Sequence, residues 1–229
     1  MNAIPNETEY GLFADDTAIY TSSNTTTRVR IRLQEAIHEF EKWCFSWKLV
    51  LQPSKTELIH FSPHPRKTYS NPIHLQVGNT TIRPQPSARY LGVIFDRRLD
   101  WRAHVRHVET RVQPRISLLR FLSRNTPESN DGIMLNLFKA LIRPVLTYGS
   151  SILLDADDKV WNRLEIAQNK ALKAALDLPH FTSATYVRSL TNIPHIRFYA
   201  TELTQRALVR SHLTEDEVTE ENITRLLHL

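Results

Sequence analysis

Two apolar, β-prone runs, Tyr10 to Phe13 and Thr17 to Thr21, flank the adjacent acids Asp15 and Asp16 near the start of the chain. This pattern predicts a hairpin with its carboxylates at the bend. After Asn24-Thr25-Thr26-Thr27, which offers several N-cap hydroxyls, Val29, Leu33, Ile37, Phe40, Cys44 and Trp47 recur at steps of three and four. The spacing predicts a helix from about Thr26 to Lys48, with this aromatic stripe against a core and Arg28, Arg30, Arg32, Glu35, Glu39 and Lys42 opposite. Pro53 and Ser54 stop the pattern, Glu57 to Ser62 reads as a strand, and the proline-rich residues 63–72 read as an exposed loop. Ile73, Leu75 and Val77 alternate, Gly78-Asn79 is a favoured two-residue turn, and Thr80 and Ile82 continue the alternation, so a second hairpin is expected. Tyr90 to Asp96 reads as one further strand ending at an acidic turn.

Beyond residue 97 the periodicity is helical throughout. Asp100 suits an N-cap, and Trp101, Val105, Val108, Val112, Ile116, Leu119 and Leu122 form one face. A loop over Asn125 to Asn130 leads to a helix at about Asp131 to Leu146 that Pro144 must kink or end. Asp157 or Asp158 caps a third helix reaching about Leu176, with Val160, Leu164, Ala167, Ala171 and Ala174 on one face; Leu178-Pro179 ends it. Shorter helices are expected over Ala184 to Leu190 and Ile196 to His212, followed by an acidic stretch from Glu215 to Leu229. Hairpins first and helices after give an α+β class.

Charge sharpens this picture. The 229 residues carry a formal net charge of +5, which favours an anionic partner such as nucleic acid. Much of it is concentrated in the helix after Trp101, where Arg102, Arg106, Arg111, Arg115, Arg120 and Arg124 are offset only by Glu109. A charge run is usually a solvated face; the near absence of opposing acids is what points to phosphates instead. Cys44 is the single cysteine, so a disulfide framework and a cysteine-based zinc site are excluded, and a buried inert thiol in a reducing compartment is expected. The first residues lack the basic start and apolar core of a secretory signal, and Ile133 to Leu154 is broken by Lys139, Arg143 and Pro144. An intracellular protein, cytoplasmic or nuclear, with no membrane partner is the expectation.

The acidic pair carries the candidate chemistry. Two neighbouring carboxylates repel each other and are costly to hold ionised without a cation, and hard divalent ions such as Mg2+ prefer such oxygen ligands. Phe-Ala-Asp-Asp on its own suits a polar hairpin turn equally well.

Five segments taken together decide between these readings: Leu12 to Tyr20 around the acidic pair, Trp47 to Phe61 with Lys55-Thr56 inside it, Tyr90-Leu-Gly-Val-Ile-Phe-Asp96, Leu99-Asp-Trp-Arg-Ala-His-Val105, and Lys139 to Gly149. In this order and spacing the chain resembles the reverse transcriptases of non-LTR retrotransposons, most closely the jockey-like elements. The resemblance covers nearly the whole chain. It implies a partial polymerase palm over residues 1–62, a hairpin and primer-grip strand over 63–96, a helical thumb over 97–150 and a C-terminal helical region over 151–229.

The resemblance also implies roles. Asp15 would be a direct ligand of catalytic Mg2+ with Asp16 its companion, and Lys55 would lie near the incoming nucleotide's phosphates. Tyr90, Leu91 and Gly92 would belong to the primer grip. Arg102, Arg106, Arg111, Arg115 and Arg120 would track the backbone of an RNA-DNA duplex formed by RNA template and DNA primer, with a dNTP as the second substrate. Gln168-Asn-Lys-Ala-Leu172 looks like the family's region beyond the thumb. Three departures stand out: a further aspartate motif, the fingers and the sugar-checking segment that the family carries upstream are not found here; the endonuclease domain is absent too; and position 52 is Gln where the family often has Asn. The expectation is therefore half a metal site, a chain that does not polymerise alone, and a first hairpin with an open edge and an uncovered apolar face. The alternative reading is a non-catalytic nucleic-acid-binding or assembly module built on the basic helix.

Overall fold

A computed structural model gives the fold of residues 7–62, 72–125 and 130–212. The expected loop over residues 63–72 is described only at Pro72; the connection at 126–129, the acidic stretch after residue 214 and the polar residues 1–6 lie outside the described residues. The chain divides into two compact units, Met1–Ala103 and His104–Leu229.

The first unit begins with strands β1 (Glu9–Phe13) and β2 (Asp16–Tyr20), antiparallel and in register from Glu9 opposite Tyr20 to Phe13 opposite Asp16. Helix α1 (Thr26–Ser46) follows, and the Thr25 side chain accepts a hydrogen bond from the Arg28 N–H as its N-cap. The helix ends two residues earlier than its periodicity predicts. Lys48 adopts a left-handed φ of 57°, the Leu49 N–H donates to the Cys44 carbonyl at 2.8 Å and the Lys48 N–H to that of Phe45 at 3.1 Å, which is a Schellman termination with lysine in the place usually taken by glycine. As a result Trp47 leaves the core face assigned to it and is 66% exposed, keeping only a tilted contact with Trp43.

Strands β3 (Leu75–Val77) and β4 (Thr80–Ile82) form the second hairpin around Gly78-Asn79 as expected. Its Leu75, Val77 and Ile82 meet Leu33 of α1, with Leu58 and Ile73, in one buried cluster against which Ile19, Val29 and Ile37 pack. Two polar anchors fix the helix on the hairpin. The Gln34 amide donates to the Gln76 carbonyl at 2.9 Å and accepts from the Gln76 N–H at 2.8 Å, so one side chain stands in for a neighbouring strand. Glu41 accepts from the Gly78 N–H at 2.7 Å.

Two strand expectations are corrected. Glu57 to Ser62 makes only an isolated parallel bridge, Leu58 to Pro84, and no ladder. Tyr90 to Asp96 is not one strand: β5 (Ser87–Tyr90) and β6 (Val93–Asp96) pair antiparallel, and the chain reverses at Leu91-Gly92, whose φ angles are 47° and 80°. Positive φ at both central residues is the condition of the type I′ hairpin turn, and the glycine supplies the second of them without strain.

The second unit is helical. Helix α2 (Arg102–Asn125) begins at the boundary, and its Val105, Val108, Val112, Ile116 and Leu119 are buried as the spacing requires. Pro114 interrupts its hydrogen-bond ladder. The Pro144 region ends a helix as expected, giving α3 (Asp131–Leu141, capped by Asn130) and the one-turn α4 (Arg143–Leu146). Helix α5 (Asp158–Ala175), capped by Asp157, is the centre of this unit: 11 of its 18 residues are buried, too many for a single amphipathic stripe. It touches α3, α4, α6 (Ala184–Thr191) and α7 (Ile196–His212). No helix among the described residues is long and apolar enough to cross a membrane.

Candidate functional site

The bend of the first hairpin consists of Ala14 and Asp15, and Asp16 is the first residue of β2, opposite Phe13. Both acids are exposed, and among the described residues neither carboxylate is held by a hydrogen bond or an ion pair. Ala14 occupies a left-handed φ of 53°, where a side chain is strained. The register explains the arrangement: five paired residues on each strand leave two to turn the corner, so the pair straddles the tip. Two unengaged oxygen donors on adjacent residues fit a hard divalent ion as ligands, but they are only part of a coordination sphere. Among the described residues no group of three or more His, Cys, Asp or Glu side chains could hold a metal ion.

The Leu91-Gly92 hairpin is brought to this one at Tyr90. A Cβ placed on Gly11 would lie 3.5 Å from the Tyr90 hydroxyl, so the tyrosine closes over the one residue of β1 that has no side chain. Gly11 is two residues, about 7 Å along β1, from Phe13, the last residue before the Ala14-Asp15 bend. At the far end of the same hairpin the Tyr20 phenol bonds to the facing Glu9 carboxylate, which raises it above its usual value. The apolar side chains of Leu12, Phe13 and Tyr20 are exposed. Lys55 stands at the end of the one-turn 3-10 helix Pro53–Lys55, exposed, and no described ion pair joins it to the acidic pair.

In the second unit Arg106, Gln113, Arg120 and Arg124 follow one another at steps of seven, seven and four along α2 and form one exposed stripe. From Arg106 to Arg120 it runs about 21 Å at the rise of an α-helix. Arg111 and Arg115 lie on the other side of the buried face, and Arg102, in the first turn, sits 3.6 Å from Asp100. Among the described residues no carboxylate pairs with Arg106, Arg111, Arg115 or Arg120. Glu109, the one acid of this helix, is engaged by the Arg163 guanidinium of α5 through both of its oxygens. It is therefore spent within the fold and does not offset Arg106, Arg111, Arg115 or Arg120.

Residues 1–95, which contain both hairpins at the acidic end, match the family model for reverse transcriptase (RNA-dependent DNA polymerase). Residues 1–95 are thus similar to reverse transcriptases. The chain's relatives are of the non-LTR, jockey-like kind. It is 29% identical over 192 residues to the probable RNA-directed DNA polymerase from transposon BS of Drosophila melanogaster, covering 83% of this chain and 21% of that protein. It is 23% identical over 198 residues to the RNA-directed DNA polymerase from mobile element jockey of the same species, covering 86% of this chain and 21% of the relative. A Pol polyprotein from a type-1 retrotransposable element of Nasonia vitripennis is 25% identical over 154 residues. The chain thus spans about a fifth of the length of the first two relatives. No solved structure matches it.

The reverse transcriptase match stops at residue 95, inside β6, while the likeness to the transposon proteins continues into the helices. Two acids important to that part of the fold escaped the reading of the sequence. Asp96 was legible only as a turn; its carboxylate accepts from the Arg98, Asp100 and Trp101 N–H groups at 3.1, 3.0 and 2.8 Å, holding a loop in which Leu99 and Trp101 both have positive φ. Glu165 is 5% exposed and gathers the second unit. It accepts from Asn169 at 2.8 Å, Arg188 at 3.0 Å, Gln168 at 3.1 Å and the Ile196 N–H at 2.9 Å. This gives the Gln168-Asn169 pair of the family-like stretch a structural part, since Gln168 also donates to the Pro194 carbonyl at 3.0 Å. A glutamate between two apolar positions of a helix is the signal that was available, but nothing local says that its partners lie 23 and 31 residues away.

Proposed function

We propose that this chain is the C-terminal part of a reverse transcriptase core: the acidic hairpin and its helix from the palm, the Tyr90-Leu91-Gly92 turn as primer grip, and α2 as thumb. The substrates in that reading are an RNA template, a DNA primer and a dNTP, and Asp15 and Asp16 are two of the ligands of catalytic Mg2+. Bound there, the metal would activate the primer 3′ oxygen and stabilise the leaving pyrophosphate. The chain's own contribution is to hold two unpaired carboxylates at a rigid bend and, through Tyr90 against Gly11, to seat the primer-grip turn beside that strand. Lys55 supplies a cation for the nucleotide's phosphates, and the arginines of α2 bind duplex phosphates without reading sequence.

The observation that carries this reading is the acidic pair at the hairpin bend inside the region matched by the family model. Because only two carboxylates meet there among the described residues, we further propose that the chain alone does not polymerise. The test has two arms. Mn2+, used as a paramagnetic stand-in for Mg2+, should broaden the NMR signals of residues 13–18 in the full chain and not in Asp15→Asn; broadening indifferent to that change refutes the metal assignment. Purified chain should give no Mg2+-dependent extension of a primed RNA template. Extension that disappears in Asp15→Ala would show a complete site and overturn the proposed inactivity.

A further inference from the structure

The arginine stripe of α2 leads to a feature that duplex binding does not use. At its end the Ser123 hydroxyl donates to the Ala174 carbonyl at 2.9 Å and Arg124 pairs with Asp177 at 2.7 Å, joining the C-termini of α2 and α5. Asp177 has a left-handed φ of 46°, and the Leu178 N–H returns to the Lys173 carbonyl at 2.8 Å, so α5 is closed tightly and the chain is redirected outward. The Lys173 ammonium then donates to the His180 carbonyl at 2.9 Å, and the Thr182 N–H to that of Pro179 at 3.1 Å. This well-bonded loop presents His180 and Phe181, edge to face at 5.4 Å, with Phe181 79% exposed.

We propose that Phe181, buttressed edge to face by His180, is a stacking platform for an unpaired base of single-stranded RNA continuing from a duplex on the arginine stripe. This rests on the reading of α2 as a duplex-binding helix. A ring face accepts any base, and phosphates on either side of it need cations. Arg120 lies one turn before Arg124, and Lys170 is exposed one turn before Lys173, so the loop is approached by positive charge from both helices; Asp177, the acid beside it, is occupied by Arg124. RNA is chosen because the relatives whose likeness extends over this loop are named RNA-directed DNA polymerases.

Fluorescence anisotropy with the full chain tests this, using a blunt RNA-DNA duplex and the same duplex with a four-nucleotide RNA, DNA or abasic overhang. The RNA overhang should tighten binding by about 5- to 100-fold, the range expected for base-aromatic stacking. The abasic overhang should give no such gain. Phe181→Ala should lose the gain and keep blunt-duplex affinity, and Phe181→Trp should retain it. A gain that survives in Phe181→Ala, or that an abasic overhang reproduces, overturns the platform. An equal gain from the DNA overhang overturns the assignment to RNA. Self-association of the free protein that Phe181→Ala abolishes would instead make the loop an interface between copies and overturn the proposal. Failure of blunt-duplex binding itself, with overhang RNA still bound through Phe181, would sink the duplex reading of α2 and not the platform.

Discussion

The Tyr90 hydroxyl lies 3.5 Å from the position a Gly11 side chain would first occupy, a contact that relates the Leu91-Gly92 hairpin to the acidic one. Such a distance is ordinary contact for one methyl group and leaves no room for a branched one. Gly11→Ala should therefore be near neutral in urea denaturation, because a strand position favours alanine over glycine enough to offset the tighter fit. Gly11→Val should destabilise by about 1–3 kcal/mol through overpacking. Combined with Tyr90→Ala, most of that loss should vanish. Additive losses in this double-mutant cycle would show that the two residues do not meet.

Ala14 turns the acidic hairpin in a left-handed conformation with a φ of 53°. Ala14→Gly should stabilise the chain, since relief of the strained φ, about 1 kcal/mol, exceeds the added entropy of the unfolded glycine. In the family reading this strain holds Asp15 and Asp16 in place, so the same variant should bind Mn2+ more weakly while unfolding at higher urea. A variant that is less stable than the parent would contradict the turn geometry.

Glu165 is the buried centre of five groups from α5, α6 and the start of α7. Removing it leaves the Arg188 guanidinium and the Ile196 N–H without their acceptor. Glu165→Ala should cost about 1–3 kcal/mol, the range for leaving a buried N–H without its acceptor, because the Arg188 side chain, about a third exposed, can reach water, with Glu165→Gln intermediate. Arg188→Met, which removes the charge from the opposite side, should be milder than Glu165→Ala. The comparison of urea midpoints decides this.

His104 is 1% exposed on the buried side of α2, and burial lowers its affinity for a proton, against a smaller opposing effect of its hydrogen bond with the Tyr148 backbone. The unfolded chain then binds a proton at higher pH than the folded one. Stability from this group is fully present above about pH 6.5 and is lost as pH falls from there toward the lowered folded value, at a slope of up to about 1.4 kcal/mol per pH unit. His104→Gln should flatten the slope between pH 6.5 and 5 measured by urea unfolding. An unchanged slope would assign the acid sensitivity to other histidines.

Local rules written into the sequence determined most of the elements. The Asp15-Asp16 bend, the Gly78-Asn79 turn, the break near Pro144, the cap at Asp157 and the α7 span Ile196–His212 all depend on residues within a turn or two of one another, where periodicity, caps and backbone preference act. The family likeness was legible for the same reason, since its motifs are short and ordered. Tertiary structure decided the rest. Trp47 has the right spacing for a core face, but Lys48 turns left-handed and puts the indole in water. Tyr90 to Asp96 has the composition of a strand, but pairing across Leu91-Gly92 folds it back on itself and brings Tyr90 to Gly11, 79 residues earlier in the chain. Glu109 counted as the arginines' counter-charge until Arg163, 54 residues on, claimed it. The fate of Trp47 turns on the backbone of its neighbour Lys48, whereas Tyr90 and Glu109 find their partners far away in sequence, and a local pattern carries no information about which distant group will satisfy a charge or meet an aromatic ring.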